Sequence, residues 1–311
     1  MSITPRAFAR ALGLEKIGGG ADERETIEVP EISRPGLQFA GYFDIFANER
    51  PQLIGLAEMG YLNSLDEETA EQRLSRFFTY PIPCVIIARG MPCPPALLRH
   101  AAEADVPVYA TREQTSEWAA KAMLYLSEAF APRQTRHGVL MDVYGQGVLI
   151  TGESGIGKSE CALELLNHGH QLVADDVVDI CRLGRELFGE APEMVRDLME
   201  LRGVGIVDIK KIFGIGSVEH RKRIDLVIEI DPWSADKEYD RLGTMDRTVS
   251  ILDVSVPLLE IPVRPGRSLA TIVEIAARSW SLRAEGYNAA EELDRRLRER
   301  YANPTEGKGE S

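Results

Sequence analysis

Apolar and polar positions along this chain follow two alternating spacings, and the change from one to the other marks the elements. The run Pro83-Cys84-Val85-Ile86-Ile87-Ala88 is continuously apolar and too short for a helix, so it predicts a buried strand; Val106-Pro107-Val108-Tyr109-Ala110 predicts another. Between and after them, Ala96 to Ala104 and Thr115 to Phe130 have helical spacing, the second placing Trp118, Ala122 and Leu126 on one face. Near the start, Thr4 and Pro5 fit the cap and first position of a short amphipathic helix carrying Phe8, Leu12 and Leu14. From Glu23 to about Ala131 such runs keep alternating, which predicts a small α/β domain with a regulatory or assembly role and no catalytic constellation. Pro132-Arg133-Gln134-Thr135-Arg136 is polar and aperiodic, and is expected to be a linker dividing the chain into domains 1–131 and 132–311.

The second half repeats the alternation. Val148-Leu149-Ile150-Thr151 predicts a buried strand, and Lys158 to His168 a helix with Ala162, Leu165 and Leu166 inward and Gly169 as its stop. Gln171-Leu172-Val173-Ala174 predicts a strand that runs into Asp175-Asp176. Further on come a turn at Leu183-Gly184-Arg185, a Gly-rich stretch from Arg202 to Gly216, and an alternating strand from Arg223 to Ile230. Helical patterns at about Ser268 to Glu285 and Ala289 to Tyr301 close the domain, before a short polar tail from Asn303. The fold class is therefore α/β, in two domains.

Composition narrows the function. With 311 residues, two domains are the natural expectation. A net charge of -13 argues against a general nucleic-acid binder, which needs clustered cations to release counterions. Uncharged stretches fall short of the roughly 20 apolar residues that span a bilayer, so no membrane span is expected. The N-terminus lacks the pattern of a signal peptide; an organelle transit peptide is disfavoured by the early Glu15 despite Arg6 and Arg10. Cys84, Cys93, Cys161 and Cys181 show no metal or disulfide spacing and predict reduced, mostly buried thiols, hence a cytoplasmic protein.

Between the strand at Val148 and the helix at Lys158 lies Gly152-Glu153-Ser154-Gly155-Ile156-Gly157-Lys158-Ser159, which fits the phosphate-cradling pattern G-x-x-x-x-G-K-[ST]. Glycines let successive backbone N–H groups converge on one anion, and the helix N-terminus adds partial positive charge. Lys158 is then placed to reach the β- and γ-phosphates of a nucleotide such as ATP, and the Ser159 hydroxyl to coordinate Mg²⁺. A Gly-rich turn without a ligand would gain nothing from Lys-Ser at those positions. Phosphoryl transfer also needs metal ligands and a group for the acceptor proton. Asp175 and Asp176, at the ligand-binding end of a strand, can divide that labour, one facing the hydrated metal and the other an acceptor hydroxyl. Glu200, followed by Gly203-Val204-Gly205, is a candidate metal-facing carboxylate. His137 by itself reads as a structural histidine rather than an active-site one. Arg241, Arg264 and Arg267, framed by Gly and Pro, are candidate clamps for phosphoryl oxygens.

Together these segments resemble the bifunctional HPr kinase/phosphorylase family of bacteria. The similarity covers His137 to Gly145, the phosphate loop, Gly169 to Asp176, Glu200 to Ile206, Lys237 to Gly243 and Ile261 to Arg267, in the family's order; residues 1–131 resemble its N-terminal domain more loosely. The resemblance implies ATP-dependent phosphorylation of a serine on the phosphocarrier protein HPr, and its reversal by inorganic phosphate to give pyrophosphate, in the control of carbon metabolism. It implies that Asp176 is the general base forward and general acid in reverse, that Lys158 stabilises transferred charge, that Ser159 and Glu200 hold Mg²⁺, and that His137 and Arg241 belong to the active site. It further implies a homohexamer whose P-loop catalytic domain is related in fold to phosphoenolpyruvate carboxykinase. A small-molecule or carboxykinase-like phosphotransferase, and a catalytically silent nucleotide-responsive binding module, are the alternatives.

Overall fold

The computed structural model describes residues 2–23, 25–233, 247–263 and 268–302. The chain divides into two compact units, Met1–Ala131 and Pro132–Ser311. In the first, helix α1 (Pro5–Ala11) precedes strand β1 (Glu15–Gly19). Then follow α2 (Gly36–Phe39), β2 (Gln52–Ile54), α3 (Leu56–Ser64), α4 (Glu67–Phe77), β3 (Val85–Ile87), α5 (Pro95–Glu103), β4 (Pro107–Ala110) and α6 (Thr115–Ala129). The strands form a sheet of order β1-β4-β3-β2, parallel except for β1. The apolar run at β3 is continuous because both sheet faces are covered. Val85 and Ile87 pack with Phe39, Leu74 and Phe77 on one side, and Cys84 and Ile86 with Phe8 and Trp118 on the other.

Helix α1 begins as the sequence indicates, with the Thr4 hydroxyl accepting from the Ala7 N–H at 3.2 Å. It ends at Ala11, so Leu12 and Leu14 are not on it. Gly13, at φ +64°, turns the chain there, and both leucines reach the Phe8 core from that turn.

The second unit is built from β5 (Arg133–His137), β6 (Val139–Val143), β7 (Gln146–Gly152), α7 (Lys158–Asn167), β8 (Gln171–Ala174), β9 (Val177–Leu183), β10 (Glu186–Glu190), β11 (Leu198–Leu201), β12 (Gly205–Asp208), α8 (Ile209–Phe213), β13 (Arg221–Arg223), β14 (Leu226–Pro232), β15 (Thr248–Ile251), β16 (Val254–Val263), α9 (Leu269–Ala284) and α10 (Ala289–Ala302). A six-stranded sheet runs β15-β16-β14-β7-β6-β8, with β16, β14 and β7 parallel; an antiparallel sheet runs β13-β10-β9-β5; β11 and β12 form a hairpin. Helices α7 and α9 pack on one face of the six-stranded sheet through Ala162, Leu165, Val273 and Ala277, against Val148, Ile150 and Ile228. The opposite face, with Leu149 and Val227, packs on Ile180 and Leu187 of the antiparallel sheet.

Two expectations change. The segment taken for a linker is an edge strand: Arg133 to His137 pairs with Cys181 to Val177. Its side chains face solvent in alternation and bond laterally, Thr135 Oγ1 to Asp179 at 2.7 Å and Arg133 to Glu190 at 3.2 Å, so hydropathy carries no trace of the pairing. The alternating strand expected from Arg223 begins at Leu226. Arg223 ends β13, and β14 is buried on both faces because it lies between β7 and β16. All four cysteines are free, and Cys84, Cys161 and Cys181 are buried. Among the described residues no helix is long and apolar enough to cross a membrane.

Candidate active site

The loop after β7 is shaped by glycine. Gly152 (φ +143°), Gly155 (φ +84°) and Gly157 (φ +102°) occupy backbone conformations that side-chain-bearing residues avoid. A Cβ on Gly152 would stand 2.4 Å from the Ile230 carbonyl of the neighbouring β14. Gly157 is the N-cap of α7, so the first free N–H groups of that helix open onto the loop. Lys158 Nζ lies back over the loop, donating to the carbonyls of Gly152 and Glu153, each at 2.9 Å. The loop stands at the carboxyl ends of parallel β7 and β14, where open α/β sheets bind ligands.

The two adjacent carboxylates after β8 diverge. Asp175 is buried; its Oδ1 accepts from Ser159 Oγ at 2.9 Å and its Oδ2 from the Glu200 N–H at 3.1 Å. One carboxylate thereby ties the start of α7 to β11. Burial pushes the Asp175 carboxyl above its ordinary range, and the Asp176 charge adds to this; the bonds from Ser159 and Glu200 oppose it. Asp176 turns outward. At φ +63° its backbone reverses the chain, its carbonyl accepts from the Gly138 N–H at 3.0 Å, and its side chain is 72% exposed. His137, at the end of β5, faces it with Nδ1 3.9 Å from Asp176 Oδ1, a charge contact too long for a hydrogen bond. Both are placed by the pairing of β5 with β9, which sets His137 opposite Val177.

Phosphate loop, carboxylates and hairpin line one open, polar cleft that includes Lys158, Ser159, Asp175, Asp176, Glu200 and Arg202. His137 stands at the rim beside Asp176. Arg202 was not singled out from the sequence. Its guanidinium lies against the loop, 2.9 Å from where a Cβ of Gly155 would be. The signal was the spacing: Glu200 and Arg202 are two residues apart on and just past a strand, which directs both to one side. The residues alone divide the labour of Asp175 and Asp176 without saying which faces the metal; the burial of Asp175 against Ser159 and Glu200 sets it inward. Arg241, Arg264 and Arg267 lie outside the described residues.

The donors present suit Mg²⁺. A serine hydroxyl and the Glu200 carboxylate, backed by Asp175, offer only hard oxygen ligands, and Mg²⁺ typically takes one or two carboxylates and completes its shell with phosphate oxygens and water. Among the described residues there is no cluster of three or more His, Cys, Asp or Glu able to enclose a metal by itself. The arrangement can therefore hold a polyphosphate along the loop and present an accessible carboxylate to an incoming hydroxyl.

Comparison with known proteins agrees over nearly the whole chain. Residues 128–297 match the family model described as HPr Serine kinase C-terminal domain, and residues 4–126 match HPr Serine kinase N terminus. The HPr kinase/phosphorylase of Caldanaerobacter subterraneus subsp. tengcongensis is 45% identical over 302 residues, covering 97% of this chain and 99% of the relative. That of a Thermoanaerobacter species is 46% identical with the same coverage. A solved structure of the Hpr(Ser) kinase/phosphatase from Coxiella burnetii is 36% identical, with a TM-score of 0.47 over 51% of this chain and 98% of that one. The two family matches and the near full-length identity make this chain a member of the HPr kinase/phosphorylase family.

Proposed function

We propose that this protein transfers the γ-phosphoryl group of ATP to a serine of an HPr-type phosphocarrier protein, and that the same site reverses the modification with inorganic phosphate, releasing pyrophosphate and regulating carbon metabolism. The observation that carries the reading is the division of the carboxylate pair: Asp175 is buried against Ser159 and Glu200, while Asp176 stands exposed at the mouth of a phosphate-binding loop.

In the forward direction the acceptor Oγ attacks the γ-phosphorus in line, its proton passes to Asp176, and ADP leaves. Lys158 and the loop N–H groups neutralise charge on the transferred group, and Arg202, whose guanidinium lies against the loop at Gly155, is positioned to do the same. Mg²⁺ would be held by Ser159 and Glu200, with Asp175 orienting both, and would offset charge on the phosphate oxygens. In reverse, a phosphate oxygen attacks the phosphoserine phosphorus, pyrophosphate forms, and protonated Asp176 returns its proton to the serine oxygen. His137, 3.9 Å from Asp176, stands beside that carboxylate at the rim of the cleft. Arg241 is assigned to the same site by family resemblance. The cytoplasm as compartment, a homohexameric assembly and a regulatory or assembly role for the N-terminal unit complete the proposal.

One preparation assayed in both directions tests it. Mg-ATP with HPr should give phosphoserine, and phosphoserine-HPr with inorganic phosphate should give pyrophosphate. Release of inorganic phosphate instead of pyrophosphate in the second assay would contradict the reversible single-site reading.

A further inference from the structure

The N-terminal unit has a ligand-binding geometry of its own. Strands β2, β3 and β4 are parallel and end in one row, Ile54 beside Ile87 and Ile87 beside Ala110. After β2 and β3 the chain crosses to the sheet face that carries Leu62, Phe77, Leu97 and Ala101; after β4 it crosses to the other, where α6 packs Trp118, Ala122 and Leu126. Open α/β sheets hold ligands at such a change of side, beyond the carboxyl ends of the strands. The two loops at that point are tied together, the Arg89 N–H donating to the Glu113 carbonyl at 2.9 Å and the Gly90 N–H to that of Thr111 at 2.8 Å. Arg112 therefore lies beside Arg89, its Cγ 3.7 Å from where a Cβ of Gly90 would be. Both arginines are exposed, and neither has an ion pair or side-chain hydrogen bond with another described residue. Neighbouring cations are paired, Arg34 with buried Glu58 at 2.8 Å and Lys121 with Glu113 at 2.6 Å. In a chain of 49 acidic and 36 basic residues, two adjacent guanidiniums left to repel each other call for an anion. Helix α6, of 15 residues, begins in the same loop without a side-chain cap, so its first-turn N–H groups are open to a ligand. The segment from Thr111 at the end of β4 to Thr115 beside Gly55 at the end of β2 carries this helix start across the end of β3, where Arg89 stands. Thr115 is nine-tenths buried, and its Oγ1, 2.8 Å from where a Cβ of Gly55 would be, has no hydrogen-bond partner among the described residues. A buried hydroxyl in that state lacks a partner that a ligand oxygen would supply.

We propose that this edge of the N-terminal sheet binds a phosphate dianion, free or as the monoester of a small metabolite, through Arg89, Arg112 and the start of α6. Two guanidiniums offer paired N–H donors and two positive charges, which match a dianion better than a single carboxylate. The α6 N-terminus supplies further donors, and the Thr115 hydroxyl one more. None of these residues belongs to the nucleotide cleft, and the site does not depend on what that cleft phosphorylates.

Full-length wild type, its phosphate loop saturated with Mg²⁺ and a non-hydrolysable ATP analogue, is titrated calorimetrically with inorganic phosphate, with glycerol 3-phosphate and with acetate. Phosphate binding should persist in wild type, and Arg89→Gln/Arg112→Gln should weaken it by about tenfold or more, with the thermal midpoint unchanged. Thr115→Val, which keeps the shape of the side chain, should weaken it by a smaller factor. Hydrogen exchange should slow at residues 111–118 when phosphate is added to wild type, and not in the double variant. No binding beyond the loop, equal affinity in the double variant, or protection that leaves 111–118 unchanged would overturn the site. Acetate binding as tightly as phosphate would overturn the dianion. Tighter binding of glycerol 3-phosphate than of inorganic phosphate assigns the site to an ester, and the reverse order assigns it to the free anion.

Discussion

At the scale of single residues, the adjacent carboxylates carry opposite duties because one is inside and the other out. Asp176→Asn keeps the shape of the exposed group but cannot take a proton, so kcat for phosphoserine formation should fall by about 10²–10⁴-fold while ATP still binds; equilibrium ATP titration beside the rate assay separates the two. Asp175→Ala acts differently. It leaves the Ser159 hydroxyl and the Glu200 N–H without their shared acceptor, at a cost of about 1–3 kcal/mol each where burial excludes water. Both a lower thermal midpoint and weaker Mg-ATP binding are expected, measured by scanning calorimetry and titration; a variant that binds Mg-ATP like wild type would show that Asp175 does not position the metal ligands. The pattern of the phosphate loop was legible in the sequence because its chemistry is local. The roles of Asp175 and Arg202 were not, because burial by β11 and contact with Gly155 come from a hairpin far along the chain.

At the scale of elements, helix α7 is fixed at both ends. At its start both Gly152 and Gly157 have positive φ, but only Gly152→Ala places a Cβ against backbone, the Ile230 carbonyl, whereas the space at Gly157 is bounded only by Leu269 at 4.0 Å. Gly152→Ala should therefore weaken ATP binding more than Gly157→Ala, by titration of both; the reverse order would contradict the close approach of β14. At its far end Glu274 of α9 meets His170 at 3.0 Å, the Tyr144 hydroxyl at 3.0 Å and His168 at 3.3 Å, while Ser268 reaches Glu164 at 2.7 Å. Burial raises the Glu274 carboxyl, but the bonds from His170 and Tyr144 and the charge of His168 outweigh it and hold it below the usual carboxylate range. A depressed carboxyl stabilises the fold above its unfolded value and loses that contribution as pH falls through the folded one. Glu274→Gln should thus lower the thermal midpoint near neutral pH, with the gap to wild type closing below about pH 4; a gap independent of pH would refute the ionic latch. Helical patterns such as Thr115 to Phe130 were readable because an amphipathic face repeats over several turns. Strand β5 was not, since an edge strand of Arg, Gln and Thr takes its stability from main-chain pairing with β9.

At the scale of the whole molecule, the two units have separate cores, and among the described residues no sheet includes strands of both. The C-terminal unit expressed from Pro132 should fold and bind Mg-ATP, whereas one starting at Gly138 strips β5 from β9, removes His137 and should be less stable, as urea unfolding of the pair would reveal. Equal stability would mean that the β5 pairing contributes nothing. Chain length and the alternation of strand and helix patterns predict two α/β domains, but only the strand pairing brings the loop, the carboxylate pair and the hairpin to one cleft. The central claim is that this cleft phosphorylates a protein serine using Asp176 as the base. It is tested most directly by mass spectrometry of HPr after incubation with Mg-ATP and either wild type or Asp176→Asn: a single phosphoserine formed by wild type and nearly abolished in the variant is predicted, and undiminished phosphoserine from the variant would contradict it.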